Sequence, residues 1–233
     1  MGYPGLPETR PARRGKPLTG TSGHGQGVPE YRFGSRDDPA PEGVFTARQV
    51  HGNDVLNVSG TPPALSGDQG DAIITQVPGV IVAVRTADCL PILLWAKGGN
   101  PVGVIHAGWR GTVAGIAARA VIGMCQRYGL SSDSVSARLG PCIRPCCYEV
   151  GDEVVDAVRA NHPHWADEVF VDRNGRPAFD LAALNRIQLT SAGVTDVDDS
   201  GECTHCLSGT YHSYRRDGEA AGRMLSWIRA NPS

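Results

Sequence analysis

Residues 101–129 constrain the fold most tightly, because the apolar pattern changes period there across two glycines. Pro101-Val-Gly-Val-Ile-His106 is the apolar, β-branched run of a buried strand. Val113, Ile116, Ala117, Ala120 and Met124 then recur at helical spacing, and Gly129 suits the helix stop. Between the two patterns lies His106-Ala-Gly-Trp-Arg-Gly111. Any fold for this chain must accommodate a strand that turns directly into a helix at a sheet edge. Side chains in such a turn stand beside the N–H groups of a helix N-terminus, where an anion can dock. The His, Trp and Arg of this turn read equally as a site or as a structural turn capped by a histidine.

The rest of the chain alternates strand and helix patterns. Strands are expected over 31–36, 44–50, 54–58, 72–75, 80–84, 92–95, 135–139, 169–171 and 211–214. Helices are expected over 152–160, over 181–192 behind Asp180 as N-cap, and over 219–229, with Met224, Leu225 and Ile228 facing inward. Residues 65–71 and 203–206 read as loop. Residues 1–30, rich in Gly, Pro, Arg, Thr and Ser, read as a loose tail, and the basic run Arg10-Pro-Ala-Arg-Arg-Gly-Lys16 as solvated. No repeat or linker divides the remainder, so 31–233 is expected to be a single domain.

A net charge of −2 argues against a general nucleic-acid or membrane-surface binder. No apolar run reaches the roughly 18 residues of a membrane span, and the opening residues hold no apolar leader core. The expectation is a cytoplasmic protein. Seven cysteines without a secretion signal fit reduced thiols, with a metal ligand or catalytic cysteine among them, better than a disulfide framework.

Three polar groups end apolar strands: His51, Cys89 and His106. Strand ends at one sheet edge converge, and His₂Cys with an open fourth position is a plausible catalytic zinc set. Three readings stay open at this point. One is the zinc set. Another is a buried cysteine with two capping histidines. The third makes Cys89 a nucleophile, His106 its base and Asp88 an orienting group. Arg110, Arg215 and Arg216 are anion candidates, since guanidinium offers a planar fork to phosphate or carboxylate. Cys203-x-x-Cys206 invites a zinc or redox reading, but a structural zinc site needs a second pair. The candidates are the adjacent Cys146-Cys147 and the isolated Cys142, and adjacent cysteines chelate one ion poorly. The zinc-deaminase signature is absent, because there is no His-x-Glu and the cysteines after Pro141 are spaced too widely.

Five motifs then occur in order: Gln49-Val-His-Gly52, Thr86-Ala-Asp-Cys-Leu-Pro91, His106-Ala-Gly-Trp-Arg-Gly111, Gly140-Pro-Cys-Ile-Arg-Pro-Cys-Cys-Tyr-Glu-Val-Gly151, and Cys203-Thr followed by Tyr214-Arg-Arg-Asp-Gly218. Together they resemble the peptidoglycan editing factor family, also called the polyphenol oxidase or laccase-domain family. The resemblance spans about 31–229. Upstream, only Arg32-Phe-Gly-Ser-Arg36 resembles the start of the family's usual Thr-Arg-x-Gly-Gly-Val-Ser segment.

The resemblance implies an α+β (α/β) fold, a four-layer α-β-β-α sandwich with mixed sheets. It implies a zinc held by His51, Cys89 and His106. Copper-dependent phenol oxidation, an older description of the family, is disfavoured by the seven histidines. It implies phosphorolysis of adenosine, inosine and methylthioadenosine, and deamination of adenosine, with purine nucleoside and phosphate as partners. Bacterial members are also linked to editing of peptidoglycan precursors. Here Asp88 is expected to handle a proton or support the metal ligands. Substrate contacts are expected from Arg110, Arg36, Gln49 and Arg216. The rival readings are a cysteine amidase built on Cys89 and His106, and a non-catalytic metal or redox protein using Cys203 and Cys206.

Overall fold

The computed structural model describes residues 19–20, 27–60 and 65–231. Most of the expected N-terminal tail, including its basic run, lies outside the described residues.

Two six-stranded mixed sheets make up the domain. The first runs, edge to edge, β1 (Thr19–Gly20), β2 (Tyr31–Arg32), β14 (Met224–Arg229), β7 (Ile81–Thr86), β3 (Phe45–Arg48) and β5 (Leu65–Gln69). The second runs β13 (Asp196–Asp199), β10 (Val135–Leu139), β8 (Leu90–Ala96), β9 (Val102–Ala107), β6 (Ala72–Thr75) and β4 (Val55–Val58). β11 (Phe170–Arg173) and β12 (Arg176–Phe179) form a separate hairpin. The helices are α1 (Trp109–Val113), α2 (Ile116–Tyr128), α3 (Asp152–Asn161), α4 (Ala166–Val169), α5 (Leu181–Ser191) and α6 (Tyr214–Asp217). Mixed sheets with helices in one domain are the architecture expected. Among the described residues, no helix is long and apolar enough to cross a membrane.

Alternation along the strands builds the cores. From β7, Val82 and Val84 point between the sheets, where they meet Leu93, Val104 and Ile228. Central strands β8 and β9 are buried along their whole length. On their far side Ile92, Leu94 and Ile105 pack against Ile116, Ala120 and Met124 of α2 and Leu184 of α5. Removing such apolar area from water is worth about 25 cal/mol per Å², which makes the helix-backed sheet the stable centre of the molecule.

Several local expectations are corrected. The expected closing helix over 219–229 is a short 3₁₀ turn, Gly218–Ala220, followed by strand β14. Met-Leu-Ser-Trp-Ile-Arg suits either period. β7 on one side and β2 on the other satisfy its backbone as a strand, and that decides the matter. The strand expected over 211–214 is loop leading into α6, capped by Ser213, whose side chain accepts from Arg216 N. β5, β12 and β13 form where loop or no element was expected. β12 returns from β11 through Asn174 and Gly175, both with positive φ (56° and 81°), a two-residue turn that favours this dipeptide. The helix after His106 is broken into α1 and α2 at Gly115, whose φ is +79°. α5 keeps its expected N-cap: Asp180 accepts from Ala183 N at 2.9 Å.

Three links meet at one end of the sandwich. After β3 the chain passes from the first sheet to the second through Val50–Asp54 to start β4. After β7 it crosses again through 87–89 to start β8. β9, antiparallel to β8, finishes beside the start of β8, with Leu90 opposite Ala107 and Pro91 opposite His106. The two crossovers and the end of β9 bring His51, Cys89 and His106 to one place.

Candidate functional site

The ligating atoms of His51, Cys89 and His106 all lie within 4.8 Å of one another. The two imidazoles meet edge to face, with centroids 4.8 Å apart and planes at 81°. This close approach explains the glycines of the central motif. A Cβ on Gly108 would stand 2.9 Å from His51 Cδ2 and 3.2 Å from Cys89 Sγ. A Cβ on Gly111 would stand 2.6 Å from the carbonyl oxygen of Gly52. Both glycines are therefore required by the Val50–Asp54 link lying against the start of α1.

The sequence assigns no role to Asp71, yet it organises both histidines. Its Oδ1 is 2.8 Å from His106 Nδ1, and the carboxylate also accepts the backbone N–H groups of Val50, His51 and Gly52 at 3.2, 3.0 and 2.7 Å. These bonds hold His51 at φ +59°, a left-handed conformation that a non-glycine residue adopts only when its surroundings impose it. Burial raises the Asp71 carboxyl, but the His106 and Gly52 hydrogen bonds outweigh it and leave the pKa below the ordinary value. An ionised carboxylate accepts only, so Nδ1 of His106 donates and Nε2 is left for the site.

Burial pushes the Cys89 thiol up, but the charge and hydrogen bond of His106, joined by His51, pull it down to about 6. His106 shows the converse. Burial lowers it, and Cys89 and Asp71 together raise it. Both shifts favour a thiolate beside an imidazolium, and the thiolate is the form of cysteine that binds a metal. Two imidazoles and a thiolate, with Asp71 behind one imidazole, have the donor chemistry of a catalytic metal site with an open position. The group could hold a metal ion.

These residues sit in a pocket of about 800 Å³, within the roughly 300–1,000 Å³ range of small-molecule sites. Trp109 and Tyr148 give it aromatic surface, and burial together with Cys89 keeps the Tyr148 hydroxyl protonated. Arg48, Arg85, Arg110, Arg215 and Arg223 also line it, against the carboxylates of Asp88 and Glu219 among the described residues. A chain of net charge −2 thus gathers five guanidiniums around one cavity.

The expected substrate residues divide. Arg110 lines the pocket, stacked on Trp109 at 4.2 Å and reaching Glu153 at 3.1 Å. Gln49 lines it too, but its amide is closed on the backbone of Arg85, with both bonds at 2.8 Å. Arg36 and Arg216 do not line it. Arg36 donates to Ser208 O at 2.6 Å, and Arg216 donates to Thr204 O, His205 O and Tyr211 O and to Asp217. Arg216 is tied up by these carbonyls and by Asp217, whereas the exposed Arg36 makes the one bond. Asp88, at φ +88°, accepts from Thr204 Oγ1, Ser213 Oγ and Arg215 N at 2.6, 3.0 and 2.7 Å. With its lone pairs so committed it is an anchor for the Cys89 loop rather than a free base.

Comparison with known proteins follows the same lines. The family model described as "Multi-copper polyphenol oxidoreductase laccase" matches residues 34–231. "Purine nucleoside phosphorylase YfiH" of Escherichia coli (strain K12) is 38% identical over 180 residues, covering 77% of this chain and 71% of that protein. "Adenosine deaminase RL5", from an unknown prokaryotic organism, is 40% identical over 178 residues, covering 74% of this chain and 66% of that protein. The crystal structure of YlmD from Geobacillus stearothermophilus superposes with a TM-score of 0.75 at 35% identity, covering 82% of this chain and 74% of that one.

Proposed function

The chain belongs to the multi-copper polyphenol oxidoreductase laccase family, and from this premise we propose that it is a zinc-dependent enzyme of purine nucleosides. Its main reaction is phosphorolysis of adenosine, inosine and methylthioadenosine, accompanied by deamination of adenosine. The observation that carries the reading is the juxtaposition of the His51–Cys89–His106 donor set with five arginines in one pocket. Relatives named for purine nucleoside phosphorylase and adenosine deaminase support the substrate class.

His51, Cys89 and His106 would hold the zinc, which supplies Lewis acidity at an open coordination position. The protein's own groups supply the rest. In phosphorolysis a phosphate oxygen forms a bond to C1′ of the ribose while the glycosidic C–N bond breaks, and the base leaves with the electron pair. Arg110 is the phosphate ligand in this reading, since it lies over Trp109 on an open wall and is tied only to the exposed Glu153. Trp109 and Tyr148 offer ring faces to the purine, and the protonated Tyr148 hydroxyl is a hydrogen-bond donor in the same cavity. Asp71 and Asp88 set the positions of His106 and Cys89 and touch no substrate.

The test is zinc-loaded protein given adenosine or inosine with phosphate, beside Cys89→Ala. Phosphate-dependent release of free base that vanishes with Cys89 supports the proposal. No turnover of any nucleoside by zinc-loaded wild type overturns it. The thiolate–imidazolium pair of Cys89 and His106 favours one rival, a cysteine amidase. That enzyme would ignore chelators and be inactivated by alkylation of Cys89.

A further inference from the structure

We propose that Cys146, Cys147, Cys203 and Cys206 form a second metal site, a structural tetrathiolate zinc centre separate from the pocket. Their four sulfurs all lie within 4.8 Å of one another. Cys147 Sγ is 3.3 Å and Cys146 Sγ 3.7 Å from Cys206 Sγ. Four thiolates at about 2.3 Å from a tetrahedral zinc stand about 3.8 Å apart along each edge, so the sulfurs already have the spacing the ion needs. All four cysteines are free thiols.

The local backbone explains how adjacent cysteines serve one ion. Cys146 and Cys147 ride a tight turn closed by Cys147 N donating to Arg144 O at 2.8 Å, and both sulfurs reach Cys206 from it. Opposite it, Cys203-x-x-Cys206 makes a second turn, with Leu207 N donating to Cys203 O at 3.0 Å. The two turns are joined by an isolated parallel β-bridge between the backbones of Cys142 and Cys203.

A zinc with four thiolates carries two negative charges, and the surroundings provide for them. Arg173 donates to Cys146 O, Arg215 to Cys147 O and Glu149 O, Arg216 to Thr204 O and His205 O, and Arg144 to Glu202 O. Arg144 and Arg216 are paired with Asp199 and Asp217, which leaves the positive charge beside the two cysteine-bearing loops to Arg173 and Arg215. The centre has a consequence for the pocket. The first loop carries Ile143 and Tyr148 of its wall, and the second leads into Tyr214 and Arg215. Thr204, between the paired cysteines, holds Asp88 beside Cys89.

The test measures zinc per chain in full-length wild type, Cys89→Ala and Cys206→Ser, purified under reducing conditions. It adds the absorption spectrum of Cys89→Ala loaded with cobalt(II). Two zinc ions in wild type, one in Cys89→Ala, and sulfur-to-cobalt charge transfer with tetrahedral d–d bands in the latter are expected. Cys206→Ser should lose one zinc and melt earlier. Cys89→Ala devoid of zinc, or binding cobalt without sulfur charge transfer, overturns the site. So does a pair of disulfides among these cysteines in the freshly purified protein. Should Cys206→Ser fail to fold, the Cys89→Ala measurements still decide.

Discussion

Asp71 Oδ1 lies 2.8 Å from His106 Nδ1, with 0% and 3% of the two side chains exposed. The same carboxylate closes the turn that carries His51. One buried acid therefore fixes both imidazoles, one by its ring and the other by its backbone.

Replacing it should separate metal affinity from fold. Asp71→Asn keeps an oxygen for part of the N–H cluster but puts an amide against groups that are all donors. Zinc affinity should fall by about 10- to 100-fold, the usual cost of losing a metal ligand's hydrogen-bond partner. Competition with a chromophoric chelator measures it. Unchanged affinity would show that His106 needs no orienting partner.

Gly108→Ala should damage the site without unfolding the sheets. The added methyl meets His51 and Cys89, which must separate. We expect zinc binding weakened by about tenfold or more, since misplacing a ligand's support costs on that scale. Circular dichroism should stay native. An intact site in this variant would mean that the imidazole simply swings aside.

Cys89 should alkylate as a thiolate in metal-free protein. Its pKa of about 6 places the ionised form above that pH, so the rate should rise through pH 6 and level off by neutrality. In His106→Gln the larger lowering cause is gone while burial and His51 remain, so the midpoint should move up toward the ordinary thiol range. Cys142, pushed up to about 12 by burial, should stay unreactive throughout. Mass spectrometry of iodoacetamide adducts across pH reports both.

Arg110→Ala should raise the KM for phosphate far more than that for nucleoside. Its ion pair with Glu153 is exposed, so stability should change by about 0.5 kcal/mol or less. Equal changes in both KM values would remove Arg110 from the phosphate site.

The sequence shows the candidate metal ligands because each of the three ends an apolar strand, and the ends of neighbouring strands meet. It does not show Asp71, whose Gly/Asp-rich surroundings look like any loop. The role of this acid exists only once β6 pairs with β9 and the link after β3 folds against it. The sheets are legible where Ile73, Val82 or Leu93 lie in unbroken apolar strands. They are not legible at Met224–Arg229, where short-range pattern is ambiguous and pairing with β7 decides. Arg36 and Arg216, expected at the substrate, lie outside the pocket lining for a related reason: a guanidinium near a site motif can as readily satisfy loop carbonyls as bind an anion.

The double crossing between sheets has a consequence for how the site can be made. His51 leaves the first sheet and enters the second, Cys89 does the same by another route, and His106 belongs wholly to the second. All three lie between residues 51 and 106, but an N-terminal fragment that carries them lacks β14, which pairs with β7 just before the Cys89 crossover. Such a fragment should bind the ion tightly only once the C-terminal piece has docked. Metal uptake during refolding is thus a clock for the moment the two sheets close on each other.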